Sequence, residues 1–211
     1  HLADDAKGLT KAFENIISNY YINNLYLEDI LSPYVNLNKD QVDFKIKRIV
    51  NGKETVIWEG EVGTDYNPTY NFTTLGHAVN DGGKYIKWAS YSPGVGEGKK
   101  QDRVQVQFQK DHKLGNETFQ VSYNLKINKT AKDYLAKYPE GYPNKGAENT
   151  DFGENKTSSG QPGFYSNQEA QLKYMQAGKE RSEVFPHPVV QTANPGLKIK
   201  KVDWEKTSQG L

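Results

Sequence analysis

Two stretches of strict alternation limit this chain to a β-rich fold. In the first, Val42, Phe44 and Ile46 alternate with Asp43, Lys45 and Lys47, so an extended backbone carries its apolar side chains on one face and its charges on the other. The pattern breaks at Asn51-Gly52 and resumes over residues 54–62. Asn-Gly accepts the positive φ values of a two-residue hairpin, so the break reads as a turn between paired strands. In the second stretch Phe119, Val121, Tyr123, Leu125 and Ile127 share one parity. Shorter strand-like runs cover 25–27, 84–90, 103–110 (Val104, Val106 and Phe108 on one face) and 164–175.

Helical signals are few. Leu9, Phe13, Ile16 and Ile17 make a 3.6-residue stripe over 4–19, with Asp4 and Asp5 at the positive end of the helix dipole. Residues 129–138 predict a short helix with Ala131, Tyr134 and Leu135 turned inward, stopping before Pro139. Residues 65–83 read as turn-rich and 140–163 as a long exposed loop of Gly, Asn, Pro, Ser and Thr. Phe185-Pro186-His187-Pro188-Val189-Val190-Gln191 predicts an extended edge segment, because proline cannot donate inside a ladder. Asn194-Pro195-Gly196 reads as a linker, with a new strand from Leu197 to Asp203. About seven strands at this spacing predict a mainly β fold, a β-sandwich with an N-terminal helix and one short internal helix.

Composition removes whole classes of function. Lys plus Arg is 27 against Asp plus Glu at 26, so no net field draws nucleic acid or an anionic membrane. There are no cysteines, which rules out disulfides, thiolate metal sites and cysteine nucleophiles. No apolar run approaches the roughly 20 residues that span a bilayer, so this segment is not expected to insert in a membrane. His1, His77, His112 and His187 are scattered, without metal-ligand spacing to carboxylates. Gly94-Val95-Gly96-Glu97-Gly98 lacks the Lys-Ser/Thr of a phosphate loop and reads as a flexible loop. No Gly-x-Ser-x-Gly elbow or paired-carboxylate motif is present, so the chain is expected not to be an enzyme. Trp58, Trp88 and Trp204 fit a buried sandwich core better than a carbohydrate surface. Four sequons, at Asn71, Asn116, Asn128 and Asn155, are read as chance in an Asn-rich chain.

Five motifs in order carry a family resemblance. Leu9-Thr10-Lys11-Ala12-Phe13-Glu14-Asn15-Ile16 looks like the last helix of a von Willebrand factor A domain. Leu27-Glu28-Asp29-Ile30-Leu31-Ser32-Pro33-Tyr34-Val35 is similar to the x-D-x-L-S-x-Y-V opening of the module that follows it. Phe164-Tyr165-Ser166-Asn167-Gln168-Glu169-Ala170 resembles that module's closing F-Y-S-N-x-x-A, and Phe185 to Gln191 its exit strand. Leu197-Lys198-Ile199-Lys200-Lys201-Val202-Asp203 resembles the first strand of a B-type domain. The order is that of Gram-positive cell-wall-anchored adhesins and pilus tip proteins, in which Ig-like modules of the collagen-adhesin type follow an A domain. No Asp-x-Ser-x-Ser metal motif occurs, so the A domain's metal-dependent site is not carried by this chain.

The resemblance implies a self-made isopeptide bond. A neutral lysine amine attacks an asparagine amide, ammonia leaves, and a neighbouring carboxyl kept protonated by burial polarises the amide. No cofactor or metal is required, and the link would constrain the unfolded state as a disulfide does. Carried over residue by residue, Asn167 is the candidate acceptor and Asp29 the candidate isopeptide-promoting acid, where ordinary readings are a turn asparagine and a turn or capping aspartate. Lys45, Lys47 and Lys126 fall on polar strand faces, so the reactive lysine is expected outside this segment and no completed cross-link within it. Lys201 matches the reactive lysine of the B-type domain, with an acceptor beyond Leu211.

The expected organisation is therefore the end of an A-type domain or a linker helix over 1–22, an Ig-like sandwich over 25–192, and the first strand of a truncated B-type domain over 196–211. The expected role is a structural stalk or spacer module on the extracellular, cell-wall-anchored surface, projecting a ligand-binding domain during host attachment. Its partners would be neighbouring domains of the same polypeptide. The alternative is a module that itself binds host glycan or matrix protein.

Overall fold

The structure, a computed structural model, describes residues 22–38, 42–69, 71–94, 101–139, 141–151 and 158–192. The expected helix over 4–19, the strand at 197–203 with Lys201, and Trp204 lie outside the described residues.

The described chain is mainly β, as the alternation predicts. In chain order the strands are β1 (Ile22–Leu31), β2 (Val35–Leu37), β3 (Phe44–Val50), β4 (Lys53–Asn67), β5 (Phe72–Ala78), β6 (Ile86–Ser92) and β7 (Arg103–Phe108). They continue as β8 (Glu117–Ser122), β9 (Leu125–Ile127), β10 (Asn144–Lys145), β11 (Pro162–Tyr165), β12 (Asn167–Gln176), β13 (Lys179–Val184) and β14 (Val189–Val190). One antiparallel sheet runs β13-β12-β1-β7-β6-β5-β4-β3-β8, beside the smaller β10-β11-β14 and β2-β9 sheets.

The large sheet curls on itself. Leu27, Leu31, Val104, Val106, Phe108 and Leu172 from one part of it are buried in the same core as Phe44, Ile46, Phe119 and Val121 from the far end. Phe108 and Phe119 meet edge to face with centroids 5.0 Å apart, although their strands lie far apart in the sheet order. The result is a sandwich-like arrangement of two facing layers, in which β7, for example, buries Val104, Val106 and Phe108 and leaves Arg103, Gln105 and Gln107 partly exposed.

Local chemistry sets the turns. Asn51 and Gly52 take φ 50° and 77°, closing the β3–β4 hairpin with Val50 opposite Lys53. Gly60 and Gly76 allow β4 and β5 to touch: a Cβ on Gly76 would lie 2.7 Å from the Glu59 carbonyl oxygen. The expected short helix is α1 (Lys129–Lys137), capped by the Asn128 side chain accepting from the Ala131 N–H, with Ala131 buried.

Three readings of the sequence need revision. Residues 65–83 are not simply turns: β4 continues to Asn67, and β5 contributes Leu75, fully buried, between β4 and β6. Positive-φ residues at Asn71, Asn80 and Asp81 flank this short strand and mask its signal. The single strand read over 117–127 is two. The chain leaves β8 at Tyr123, Asn124 bonds across to Asn38 and Val42, and β9 pairs with β2 instead. Within 140–163 the described part is not a plain loop, since it contains β10 and the buried Gly146, Thr150 and Ser158.

Candidate functional site

Asp29 lies within β1, two residues before its end, with Ala170 of β12 on one side and Val104 of β7 on the other. It is a strand-interior residue and not a turn or a cap. Its parity is that of Leu27 and Leu31, so its carboxyl points into the core and is 5 % exposed. The Tyr123 hydroxyl, from the opposing layer just beyond β8, donates to Oδ2, while Oδ1 is buried with no partner among the described residues. Burial pushes the Asp29 pKa up to about 7, against a smaller downward pull from the Tyr123 hydrogen bond. At neutral pH a large share of this carboxyl is therefore protonated.

Asn167 opens β12 directly opposite Leu31. Directly opposed residues share a sheet face, so Asn167 lies on the interior face one position diagonal to Asp29, and it is 1 % exposed. The register shifts between Ile30 and Leu31, so that Gln168 is skipped. This bulge turns Asn167 inward next to the acid instead of letting its parity run outward. Its amide nitrogen donates to the Pro186 carbonyl at 3.5 Å, and its side-chain oxygen lies 3.3 Å from Nδ1 of His187. The structure thus brings together the two positions singled out from the sequence.

The lysines do not join them. Lys45 is paired with Asp43 at 2.6 Å and Lys47 with Glu54 at 2.7 Å, both at the surface, and Lys126 is exposed. No described lysine is buried.

A second buried carboxyl nearby shows what a structural aspartate looks like in this fold. Asp102 accepts from the Tyr91 hydroxyl (2.8 Å), Asn36 Nδ2 (2.9 Å), the Leu37 N–H (3.4 Å) and the Gly94 N–H (2.9 Å). Four donors from three segments tie β2, β6 and the start of β7 together. Burial, with the Asp102 carboxyl beside it, raises the Tyr91 pKa, so the hydroxyl stays a donor. Asp29, with one donor, has no such account as an anchor.

Sequence reading also missed an ionic cluster. Glu117, 4 % exposed, receives Arg48 Nε on one oxygen and has His112 Nε2 at 2.7 Å from the other. Arg48 lies over the Tyr85 ring at 4.7 Å. Nothing in sequence spacing joins Arg48 to Glu117; only the β3–β8 pairing does. Trp58 is buried, with its indole N–H donating to the Leu75 carbonyl at 2.8 Å, a core role. Among the described residues no three His, Asp or Glu side chains are grouped to hold a metal, and no helix is long and apolar enough to cross a membrane.

Chemically, a dry carboxyl that burial inclines to keep its proton and a dry carboxamide lie one diagonal position apart on the same interior face, the two kinds of group that an amide-transfer step uses. A search of curated proteins finds none that matches this chain. Residues 22–191, spanning all the described strands but none of the flanking segments, match a domain of unknown function, DUF7604, and the chain belongs to that family.

Proposed function

We propose that this domain is a self-cross-linking structural module of a Gram-positive cell-wall-anchored surface or pilus adhesin. In this reading it holds a ligand-binding domain away from the cell wall during host attachment and turns over no substrate. The observation that supports the reading is that Asp29, buried with one oxygen unpartnered, and the buried Asn167 are diagonal neighbours on the same interior face. A buried polar atom without a partner is costly, of the order of 1–3 kcal/mol. A lysine side chain reaching Asn167 from beyond the described residues would give Oδ1 of Asp29 the donor it lacks.

The reaction would proceed once per molecule. A neutral lysine amine adds to Cγ of Asn167, the C–Nδ2 bond breaks, Nδ2 takes up the proton released by the amine and leaves as ammonia, and an amide joins the two side chains. Asp29, protonated, bonds the amide and relays that proton, ending as it began. The module has no cysteine, so this bond would supply the tether that a disulfide supplies in other extracellular domains.

Intact mass of the longest natural polypeptide that carries the domain tests the reading: it should fall about 17 Da below the sequence value, the mass of one ammonia. Peptide mapping should find Asn167 joined to a lysine, and Asp29→Ala should restore the full mass. An unmodified Asn167 in the folded protein would sink the proposal. Binding of the isolated domain to host glycans or matrix proteins would favour the alternative role.

A further inference from the structure

The segment after β13 is held across the start of β12 by two backbone bonds. The Phe185 N–H donates to the Ala170 carbonyl at 2.8 Å, and the Ser166 N–H donates to the Pro188 carbonyl at 2.9 Å. Between these clamps Pro186 and His187 lie against Asn167. The His187 carbonyl is itself bonded by the Ala147 N–H at 3.1 Å, and its ring stacks on Tyr165 with centroids 4.8 Å apart. The imidazole is thus fixed at both backbone and ring.

Its Nδ1 lies 3.2 Å from the Asn167 backbone oxygen and 3.3 Å from Asn167 Oδ1. Both are acceptors, so Nδ1 must carry a hydrogen. The amide orientation is fixed independently: Asn167 Nδ2 donates to the Pro186 carbonyl, which can only accept. Two neighbours therefore agree on one arrangement, with the amide nitrogen toward Pro186 and the amide oxygen toward His187.

We propose that His187 is a second working group of the cross-linking site, its Nδ1–H fixing the Asn167 carboxamide and stabilising the charge that builds on Oδ1. This rests on the cross-linking reading. As the lysine amine adds to Cγ, the carbonyl electron pair moves to Oδ1, where the imidazole N–H meets it. When the intermediate collapses, the pair returns, the C–Nδ2 bond breaks, and ammonia departs from the Pro186 side. Both printed partners of the amide, the Pro186 carbonyl and the His187 ring, come from the exit segment, while Asp29 lies on the β1 side of the same interior face. A histidine serving only as packing would not need its donor atom on the reacting oxygen.

Two variants of similar size separate donation from packing: His187→Asn keeps an N–H where Nδ1 was, and His187→Leu does not. In the longest natural polypeptide carrying the domain, pulse-labelled and sampled by peptide mass mapping, His187→Leu should form the Asn167 cross-link about 100-fold or more slowly than wild type, the cost of losing one oxyanion donor. His187→Asn should stay within about tenfold of wild type. Equal rates for wild type and His187→Leu overturn the role of His187 while leaving the cross-link standing. Absence of the cross-link in wild type overturns both. Because His187→Leu also removes the ring that stacks on Tyr165, the wild-type 211-residue chain gives a separate readout: imidazole 15N correlations should show a proton on Nδ1. A proton on Nε2 alone overturns the inference.

Discussion

The Tyr123 hydroxyl donates to one oxygen of Asp29 across the two layers of the fold and leaves the other oxygen of that carboxyl without a partner. A single donor falls short of what a fully buried carboxylate needs, and the group compensates by holding its proton, with a pKa pushed up to about 7. The same contact links β1 to the far end of the curled sheet. Fold closure and site chemistry therefore meet in one hydrogen bond.

That raised pKa has a defined sign in stability. Between the unfolded value near 4 and the folded value of about 7, the native state binds more protons than the unfolded chain, so Asp29 makes stability fall as pH rises through that window. The penalty is complete above about pH 7 and of the order of 4 kcal/mol, from about three pKa units at 1.36 kcal/mol each. Asp29→Asn stays neutral throughout and should lack this slope. Urea unfolding of both proteins at intervals from pH 4 to 8 measures the difference; parallel curves would show that Asp29 is ionised in the native state.

Tyr123→Phe removes the donor and keeps the ring, which stacks on Phe44 at 6.3 Å. It should destabilise the protein by roughly 1–3 kcal/mol, the cost of a buried polar group left unsatisfied. It should also move the Asp29 titration upward, since the lost bond is the one influence pulling that pKa down. Carboxyl 13C shifts of Asp29 across pH report the midpoint directly. A midpoint lower than in wild type would mean that the hydroxyl does not bond this carboxyl.

The sequence exposed the strands because a period-two pattern is local: Phe44 and Ile46, or Val104, Val106 and Phe108, announce their common face without reference to anything distant. Asp29 and Asn167 were legible only by resemblance, since nothing local says that a bulge skipping Gln168 turns Asn167 inward. β5 was hidden because its seven residues are set among Asn, Asp and Gly turns. His187 was passed over for a different reason. Its importance comes from the clamps at Phe185 and Ser166, and a backbone bond between residues far apart leaves no mark in spacing.

The Glu117 cluster should behave oppositely to Asp29. Burial alone would raise the Glu117 pKa, but the bonds from His112 and Arg48 outweigh it, and the net shift is downward. A lowered folded pKa contributes stability that is present above the unfolded value near 4.3 and is lost as pH falls through the folded value. Glu117→Gln should therefore cost roughly 1–3 kcal/mol at pH 6, with the gap to wild type narrowing toward pH 3. Thermal melts of the two proteins at both pH values measure it. A gap that widens in acid would show that Glu117 is not held as a carboxylate by these partners.

Gly82 tests the packing that sets the β5–β6 turn. It begins a single 3-10 turn (Gly82–Lys84) after Asp81, which sits at φ 63°. The turn presses on β4, so closely that a Cβ on Gly82 would stand 1.6 Å from the Ile57 carbonyl oxygen. That oxygen already accepts from the Val79 N–H at 3.0 Å, and Ile57 is a fully buried core residue. Backbone cannot rotate away as a side chain can, so Gly82→Ala must push the turn off the strand and break that bond. The expected loss is about 3 kcal/mol or more, in the range of severe core strain. Gly83 next to it is the control: a Cβ there meets only the Ala78 methyl at 3.9 Å, so Gly83→Ala should stay within about 1 kcal/mol of wild type. Chemical denaturation of the pair decides the matter, since equal stabilities for the two variants would show that the turn does not bear on β4.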